Sequence, residues 1–418
     1  MLIRNLESSE KWPSLSSKNS QRKNLLEKCD RFHRYHETLM SSLRIQNPFM
    51  RVVDPPSSPT VIHKGRTLIM LGSNNYLGLS THPEVKRAAR RAIEVYGTGS
   101  CSSRLLAGTT SLHIQLEKEL AEFKRTEEAL LFSTGYMTMM GTVSGLVDEN
   151  DVIFSDQLNH ASIIDGIRLS KAHVMIYRHN DMGSLEEGLA SVPPEVNKLI
   201  VTDGVFSMKG DIANIPEIKR LADEYGGVVM VDDAHGTGVL GENGRGVLEH
   251  FHMEGQIDLV CCTFSKVFGS VGGAVGARKE IVDFLRFNAR PYLFTASLPP
   301  SVVMTVLASL QILKDSPDLI NQLRRNVRFL RKNLSRLHFR LEPTETPIIP
   351  VLIGDDKKTL RMAVELDKEG VFVNPVVPPA VSAESSLIRI SVMATLTQEE
   401  LEIAIEKFRS VGRRLGLI

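Results

Sequence analysis

Leu259-Val260-Cys261-Cys262-Thr263-Phe264-Ser265-Lys266-Val267-Phe268-Gly269-Ser270-Val271-Gly272-Gly273 joins two short apolar runs, Leu259–Thr263 and Gly273–Ala277. Lys266 is the only charged residue between Asp258 and Arg278. An ammonium among such small, hydroxylated or apolar neighbours is poorly solvated, so its pKa falls and its neutral amine becomes reactive. A lysine of that kind suits a Schiff base with an aldehyde cofactor. The glycines that follow allow close approach of backbone or ligand. Taken alone, Lys266 reads as a surface lysine on a Gly-rich turn, because most lysines are exposed. The rest of the chain reverses that reading.

Upstream of this stretch lie five more runs of the same kind: Ala129–Ser133, Val152–Ser155, Val174–Tyr177, Leu199–Asp203 and Val228–Asp232. Helical stretches separate most of them, the pattern of an α/β protein whose mainly parallel, seven-stranded sheet is buried by helices on both faces. Ser133, Ser155, Asp203, Asp232 and Thr263 end five of the seven runs, where open α/β sheets bind ligands. Residues 1–24 are polar and expected to fray. A helix is expected from Leu25 to Leu43 and a hairpin over Thr60–Leu71 around Lys64-Gly65. Pro83 opens a helix with Val85, Ala88, Ala89, Ala92, Ile93 and Tyr96 on its apolar face, and Leu112, Leu116, Leu120 and Phe123 mark another. After Pro299-Pro300, a long amphipathic helix (Ile320 to Leu337) and runs at Ile348–Ile353, Val371–Asn374 and Leu387–Val392 read as a smaller α+β domain. The expected division is an N-terminal arm and helix (1–60), a large domain (61–298) and a small C-terminal domain (299–418).

A length of 418 residues exceeds one ordinary core. The net charge of +1 gives no drive toward nucleic acid. No run approaches the ~18 apolar residues of a membrane span, and no apolar leader is visible, so a cytoplasmic chain is expected. Cys29, Cys101, Cys261 and Cys262 show neither metal spacing nor a disulfide pattern, and read as reduced core residues. The long helix carries Arg324, Arg325, Arg328, Arg331, Lys332 and Arg336 on one side, read as a solvated face, with an acidic partner or peripheral contact with an anionic membrane as the minor alternative.

Ser133-Thr134-Gly135-Tyr136 sits where a strand passes to a helix, and free N–H groups there make a phosphate seat. Gly97-Thr98-Gly99-Ser100 follows a helix and is no dinucleotide fingerprint. Asp232 ends an apolar strand. It reads either as a helix N-cap or as the partner of a pyridinium nitrogen. His160, just past another strand end, reads as a ring that stacks on a flat ligand or as a hydrogen-bonded structural residue. Arg389 lies in the strand Leu387–Val392 and needs an anion, either a substrate carboxylate or an internal Asp or Glu.

Ser73-Asn74-Asn75-Tyr76-Leu77-Gly78, His160-Ala161-Ser162, Asp203-Gly204-Val205-Phe206-Ser207-Met208, Asp232-Asp233-Ala234-His235-Gly236, Gly244-Arg245-Gly246 and Thr263-Phe264-Ser265-Lys266 occur in this order. Together they resemble the α-oxoamine synthase family of pyridoxal-phosphate (PLP) enzymes, fold type I, from about Asn47 to the C-terminus. The resemblance implies that Lys266 holds the cofactor and moves the Cα proton. It implies that Asp232 pairs with the pyridine nitrogen, His160 stacks on the ring and His235 bonds its phenolic oxygen. Gly135, Tyr136, Thr263 and Ser265 are expected around the phosphate and the nearby ring oxygen. Thr295 is expected to reach the phosphate of the other subunit in a homodimer with shared sites. Asn75, Tyr76, Ser207 and Arg389 are expected on the substrate side.

The implied reaction is a decarboxylating condensation of an amino acid with an acyl thioester, carried by CoA or an acyl carrier protein. Asn47-Pro48-Phe49, Ala289–Pro300 and Val371–Ala380 resemble the branch that condenses L-serine with a long-chain acyl group. Leu158–Leu169 and Asn180-Asp181-Met182 are equally similar to the 2-amino-3-ketobutyrate branch, and Gly238–Gly241 to the 8-amino-7-oxononanoate branch. Val377 stands where some members of the serine branch carry a second arginine, and Leu396 where the family has a histidine. An aminotransferase of the same fold is the rival enzyme reading. A non-enzymatic, cofactor-bearing protein is opposed by the joint presence of Lys266, Asp232, His160 and Arg389.

Overall fold

Val229-Met230-Val231 is a run of β-branched and long apolar residues, and it forms the middle of the principal sheet because both of its faces find apolar cover. The computed structural model describes residues 26–418; the expectation for residues 1–24 lies outside them. In chain order the strands are β1 (Thr60–His63), β2 (Arg66–Met70), β3 (Glu128–Phe132), β4 (Val152–Asp156), β5 (His173–Tyr177), β6 (Lys198–Asp203), β7 (Gly227–Asp232), β8 (Leu259–Thr263), β9 (Gly273–Ala277), β10 (Arg340–Leu341), β11 (Ile348–Leu352), β12 (Val371–Phe372), β13 (Asn374–Val376) and β14 (Leu387–Ser391).

Seven of them build one sheet in the order β3-β9-β8-β7-β6-β4-β5. Only β9 runs against the others. It turns back from β8 through the Gly-rich stretch, where Gly269 and Gly272 take positive φ values of 61° and 120°. The period of two along each strand sorts the core into two layers. Ile153, Leu199, Val201, Met230 and Val275 face the helices Gly135–Leu146, Ala161–Ser170 and Lys279–Asn288. Phe154, Ile200, Val229, Val231 and Ala274 belong to the opposite layer, with the helices Ser111–Lys124 and Ile215–Tyr225. The chain leaves β4 for β5 on one side and returns to β6 on the other, so the strand order reverses at β4. A crevice opens outside the C-terminal ends of the strands at such a point.

The C-terminal sheet is antiparallel, β10-β11-β14-β13, and the helices Pro317–Arg336, Asp356–Lys368 and Gln398–Arg414 accompany it. The hairpin β1–β2 forms as expected, with His63 opposite Arg66. Its third strand is β12, parallel to β2. A lone hairpin leaves an edge unpaired, and here it is completed by a strand about three hundred residues later in the chain.

Some expectations need correction. On the helix Pro83–Tyr96, Val85 and Ala92 are buried, but Ile93 and Tyr96 are 44% and 43% exposed: helical spacing marks a face and not what covers it. Cys261 and Cys262 are core residues, whereas Cys29 and Cys101 are exposed. On the long basic helix, Arg324 and Arg331 donate to the carbonyls of Gly241 and Glu342 at 2.5 and 2.8 Å, so only the rest of that face is solvated.

Behind the crevice lies a buried ion pair. Lys124 Nζ donates to Asp233 Oδ2 at 2.7 Å, to Thr237 Oγ1 at 2.6 Å and to the carbonyl of Arg245 at 2.6 Å. All three ammonium protons have acceptors, which is what makes a charge tolerable there. A Cβ on Gly246, whose φ is 102°, would sit 1.7 Å from Asp233 Oδ2, so the turn can close on the carboxylate only with glycine. Lys124→Met leaves Asp233 buried without its cation. It is expected to lower unfolding free energy by about 3–5 kcal/mol, as denaturant unfolding will measure.

Candidate active site

The ends of β6 and β7 place two carboxyl groups side by side, with Asp203 paired in register with Asp232. Both are buried. Asp232 Oδ1 accepts from the N–H of Ala234 at 3.1 Å, and a turn rather than a helix follows, which removes the N-cap reading. Burial pushes its pKa up, and the nearby Lys266 and His160 oppose that shift. Asp203 is pushed well above the usual carboxyl range by burial and then by the charge of Asp232, and its Oδ1 has no partner. The two carboxyls thus interact directly, and burial with mutual repulsion pushes Asp203 up the further of the two.

Lys266 follows β8 and lies in the same cavity. Burial lowers its pKa and Asp232 opposes the shift, as the isolated charge in the sequence implied. His160 caps the helix Ala161–Ser170, taking the N–H of Ser162 at 3.3 Å on Nδ1, which also lies 2.7 Å from Ser162 Oγ. It is a hydrogen-bonded structural cap, and it also borders the cavity. The ring of Tyr136 stands edge-on to it, centroids 6.1 Å apart. His235 is buried, with Nδ1 2.7 Å from the hydroxyl of Tyr76. Burial first, then the charges of Lys266 and Arg389, push its pKa well below the ordinary histidine value, so its ring is neutral.

The handover from β3 to the helix Gly135–Leu146 makes a seat for an anion. Thr134 caps that helix through the N–H of Met137 at 3.0 Å, and the first-turn N–H groups of Gly135 and Tyr136 have no acceptor within the helix. A Cβ on Gly135 would meet Thr263 Oγ1 at 2.4 Å, so glycine is needed for helix and strand to approach. Thr263 Oγ1 lies 3.0 Å from Ser265 Oγ, and both hydroxyls border the same cavity.

The opposite wall comes from the C-terminal sheet. Arg389 on β14 is buried, and among the described residues no carboxylate lies in ion-pair range of it. Its Nε donates to the carbonyl of Ser207 at 2.6 Å; one terminal nitrogen donates to Asn74 Oδ1 at 3.1 Å and to Ser391 Oγ at 2.7 Å. The internal salt-bridge reading is thereby removed. Asn75 does not line the cavity: its amide is spent on the carbonyl of Ser57 and on Ser80 Oγ, holding the turn. Asn74, which the sequence reading passed over, lines it instead. Its only signal was the adjacent Asn-Asn pair, and that does not say which of the two turns inward. Tyr76 lies beneath, linking Asn74 to His235.

The enclosed space is about 460 Å³, within the range of small-molecule sites. A lysine with a lowered pKa, a buried carboxylate, a ring at the edge and an anion seat together fit a phosphorylated pyridine aldehyde. The unpartnered Asp203 Oδ1 also awaits a polar group. Residues 66–408 match the model of the aminotransferase class I and II family.

The chain belongs to that family.

The family's enzymes depend on PLP. This class I and II chain is 45% identical over 370 residues to an 8-amino-7-oxononanoate synthase of Thermoanaerobacter pseudethanolicus, covering 88% of this chain and 94% of that one. It is equally 45% identical over 361 residues to a serine palmitoyltransferase of Bacteriovorax stolpii, covering 86% of each. A serine palmitoyltransferase from S. paucimobilis, solved with bound PLP-myriocin aldimine, superposes with a TM-score of 0.92 at 37% identity. That match covers 95% of this chain and all of the other. The fold is thus the PLP fold type I that the motifs implied.

The class I and II site brings Lys266, His160, Asp232, His235, Gly135, Tyr136, Thr263, Ser265, Ser207 and Arg389 to one cavity. Thr295 is not among them; it borders a separate small cleft with Arg104 and His113. Borohydride reduction of the cofactor-loaded protein, followed by peptide mapping, is expected to find the pyridoxyl group on Lys266. Lys266→Ala is expected to abolish both that label and turnover.

Proposed function

We propose that this protein catalyses the decarboxylating condensation of L-serine with a long-chain acyl thioester, palmitoyl-CoA in type, releasing the thiol and CO2 and giving 3-ketodihydrosphingosine for sphingolipid synthesis. The observation that carries the condensation is Arg389: a buried guanidinium without a carboxylate of its own, across one cavity from the amine of Lys266. Bound PLP supplies an aldehyde for the substrate amine and a ring that withdraws electrons from the Cα bonds. Asp232 would hold a proton on the ring nitrogen of the bound cofactor, and His160 would lie against its ring. His235, backed by Tyr76, would turn its second nitrogen to the phenolic oxygen. Arg389 takes the substrate carboxylate in its fork and so orients the Cα–H bond toward Lys266, whose neutral amine removes the proton. The new bond forms between Cα and the thioester carbonyl carbon as the C–S bond breaks and the thiolate leaves, to be protonated by solvent; the carboxylate then departs as CO2, and Lys266 returns its proton to the electron pair left at Cα.

The serine and long-chain preference is supported by Ala289–Pro300 and Val371–Ala380, and by the likeness to serine palmitoyltransferases. Val205, Met208 and Val271 give the cavity an apolar side suited to an acyl tail. The second reading, an 8-amino-7-oxononanoate synthase type of condensation, is favoured by the equal identity to that relative. A shared homodimeric site accounts for the position of Thr295 outside the cavity and for exposed Ile93, Tyr96 and Phe294.

Arg389→Ala is expected to weaken amino-acid binding by about 1.5–3 kcal/mol, on the order of tenfold to hundredfold, with cofactor affinity unchanged. Val377 offers no second guanidinium to compensate. Spectroscopic titration with L-serine measures this. Thiol release measured with serine, glycine and alanine against acetyl, pimeloyl and palmitoyl thioesters tests the substrate pair. Serine with palmitoyl-CoA is expected to give the highest kcat/KM, with sharp discrimination among amino acids and gradual discrimination among chain lengths. Higher efficiency with alanine and a pimeloyl thioester moves the protein to the second reading.

A further inference from the structure

His179 lies outside the cavity, yet it is bonded as tightly as any residue within it. Its Nδ1 is 3.0 Å from Asp156 Oδ1 and its Nε2 is 2.7 Å from Asp211 Oδ2. A carboxylate only accepts, so a ring bonded to two of them must donate from both nitrogens, which only imidazolium does. Burial works against that charge, but Asp156 and Asp211 outweigh it and hold the pKa up at about 9. The ring also stands edge-on to Phe206, centroids 4.4 Å apart.

Asp156 is a fixed point. It ends β4, is buried, and already accepts the N–H groups of Leu158 and Asn180 at 2.8 Å each. Asp211 belongs to the loop 204–214, which leaves β6 and closes on itself through Phe206 N–H to Asp211 O at 3.0 Å and Gly210 N–H to Phe206 O at 2.7 Å. The next residue to the histidine grips the same loop: Asn180 donates to the carbonyl of Ile212 at 3.1 Å and accepts the N–H of Asn214 at 3.0 Å. At its tip the loop carries Ser207, whose carbonyl holds Arg389 Nε at 2.6 Å. Unlike Ser391, which lies on β14, this acceptor depends on a loop.

We propose that His179 is a positioning residue for the substrate-carboxylate site: bridging Asp156 and Asp211, it locks the 204–214 loop so that the Ser207 carbonyl aims the guanidinium of Arg389. The proposal rests on the reading of Arg389 as the carboxylate ligand. Without the imidazolium, Asp156 and Asp211 lose their common donor and the charge between them, and the loop is left to neutral anchors such as Asn180, the Thr344 and Thr346 hydroxyls on Gly210 O and the Gly204 N–H on Asp232 O.

The test uses the PLP-loaded full chain titrated with L-serine by visible absorbance, with hydrogen exchange followed over residues 204–214. His179→Gln and Asp211→Asn approach the same bond from opposite ends, so one suffices if the other fails to fold. Each is expected to weaken serine binding on the order of tenfold, to speed exchange in the loop and to leave cofactor affinity unchanged. The double variant is expected to lose no more than the worse single one. Asp181→Ala is the control. It removes the cap of the neighbouring helix Met182–Ala190 without touching the loop, and is expected to lower thermal stability while serine binding holds. Unchanged serine affinity in His179→Gln, alongside weakened affinity in Arg389→Ala, overturns the positioning role alone. Equal weakening in Asp181→Ala overturns it too, by showing general loosening. Unchanged affinity in Arg389→Ala overturns the carboxylate reading underneath.

Discussion

A carboxyl buried at Asp232 inside an apolar sheet is the constraint on which the rest of the site depends. Burial pushes its pKa up, and the nearby Lys266 and His160 oppose that shift. Asp203, next to it in register, is pushed well above the usual carboxyl range by burial and by Asp232. Each of these groups is where it is because a parallel strand ends there. One edge of one sheet thus sets the charge state of several groups at once.

The same buried carboxyl makes demands on the layer behind it. Asp233, adjacent in sequence, must face the other way and would be an uncompensated anion. Lys124 meets it, and Thr237 and the Arg245 carbonyl take the remaining ammonium protons. The turn that carries Asp232 and His235 is pinned from below by an ion pair outside the cavity. On the far wall, Arg389 is handled in the opposite way. Among the described residues its acceptors are neutral, Ser207 O, Asn74 Oδ1 and Ser391 Oγ, and no carboxylate pairs with it.

Local chemistry made much of this legible before any fold was known. The seven apolar runs became the seven strands of the large sheet; the inner ones are covered on both faces, whereas the edge strand β5 leaves Val174 and Ile176 exposed. The isolation of Lys266 was visible as composition, and its depressed pKa follows from that same composition once the chain is folded. His160 was read as either a stacking ring or a structural cap; it caps a helix and borders the cavity, since the ring bonds through one nitrogen only.

By itself the sequence determined the α/β class, the strand positions of the large sheet and the family, because periodicity, strand-end polar residues and motif order are properties of short segments; the one run Val371–Asn374 is divided between two sheets. Which of two neighbours turns inward was decided only by the tertiary structure. Asn75 is drawn to Ser57 and Ser80 and Asn74 to Arg389, by partners up to 315 residues away. The third strand of the N-terminal hairpin and the two carboxylates around His179 were equally beyond local reading. Each depends on a contact between distant segments, and the free energy of such a contact belongs to neither segment until the chain has brought them together.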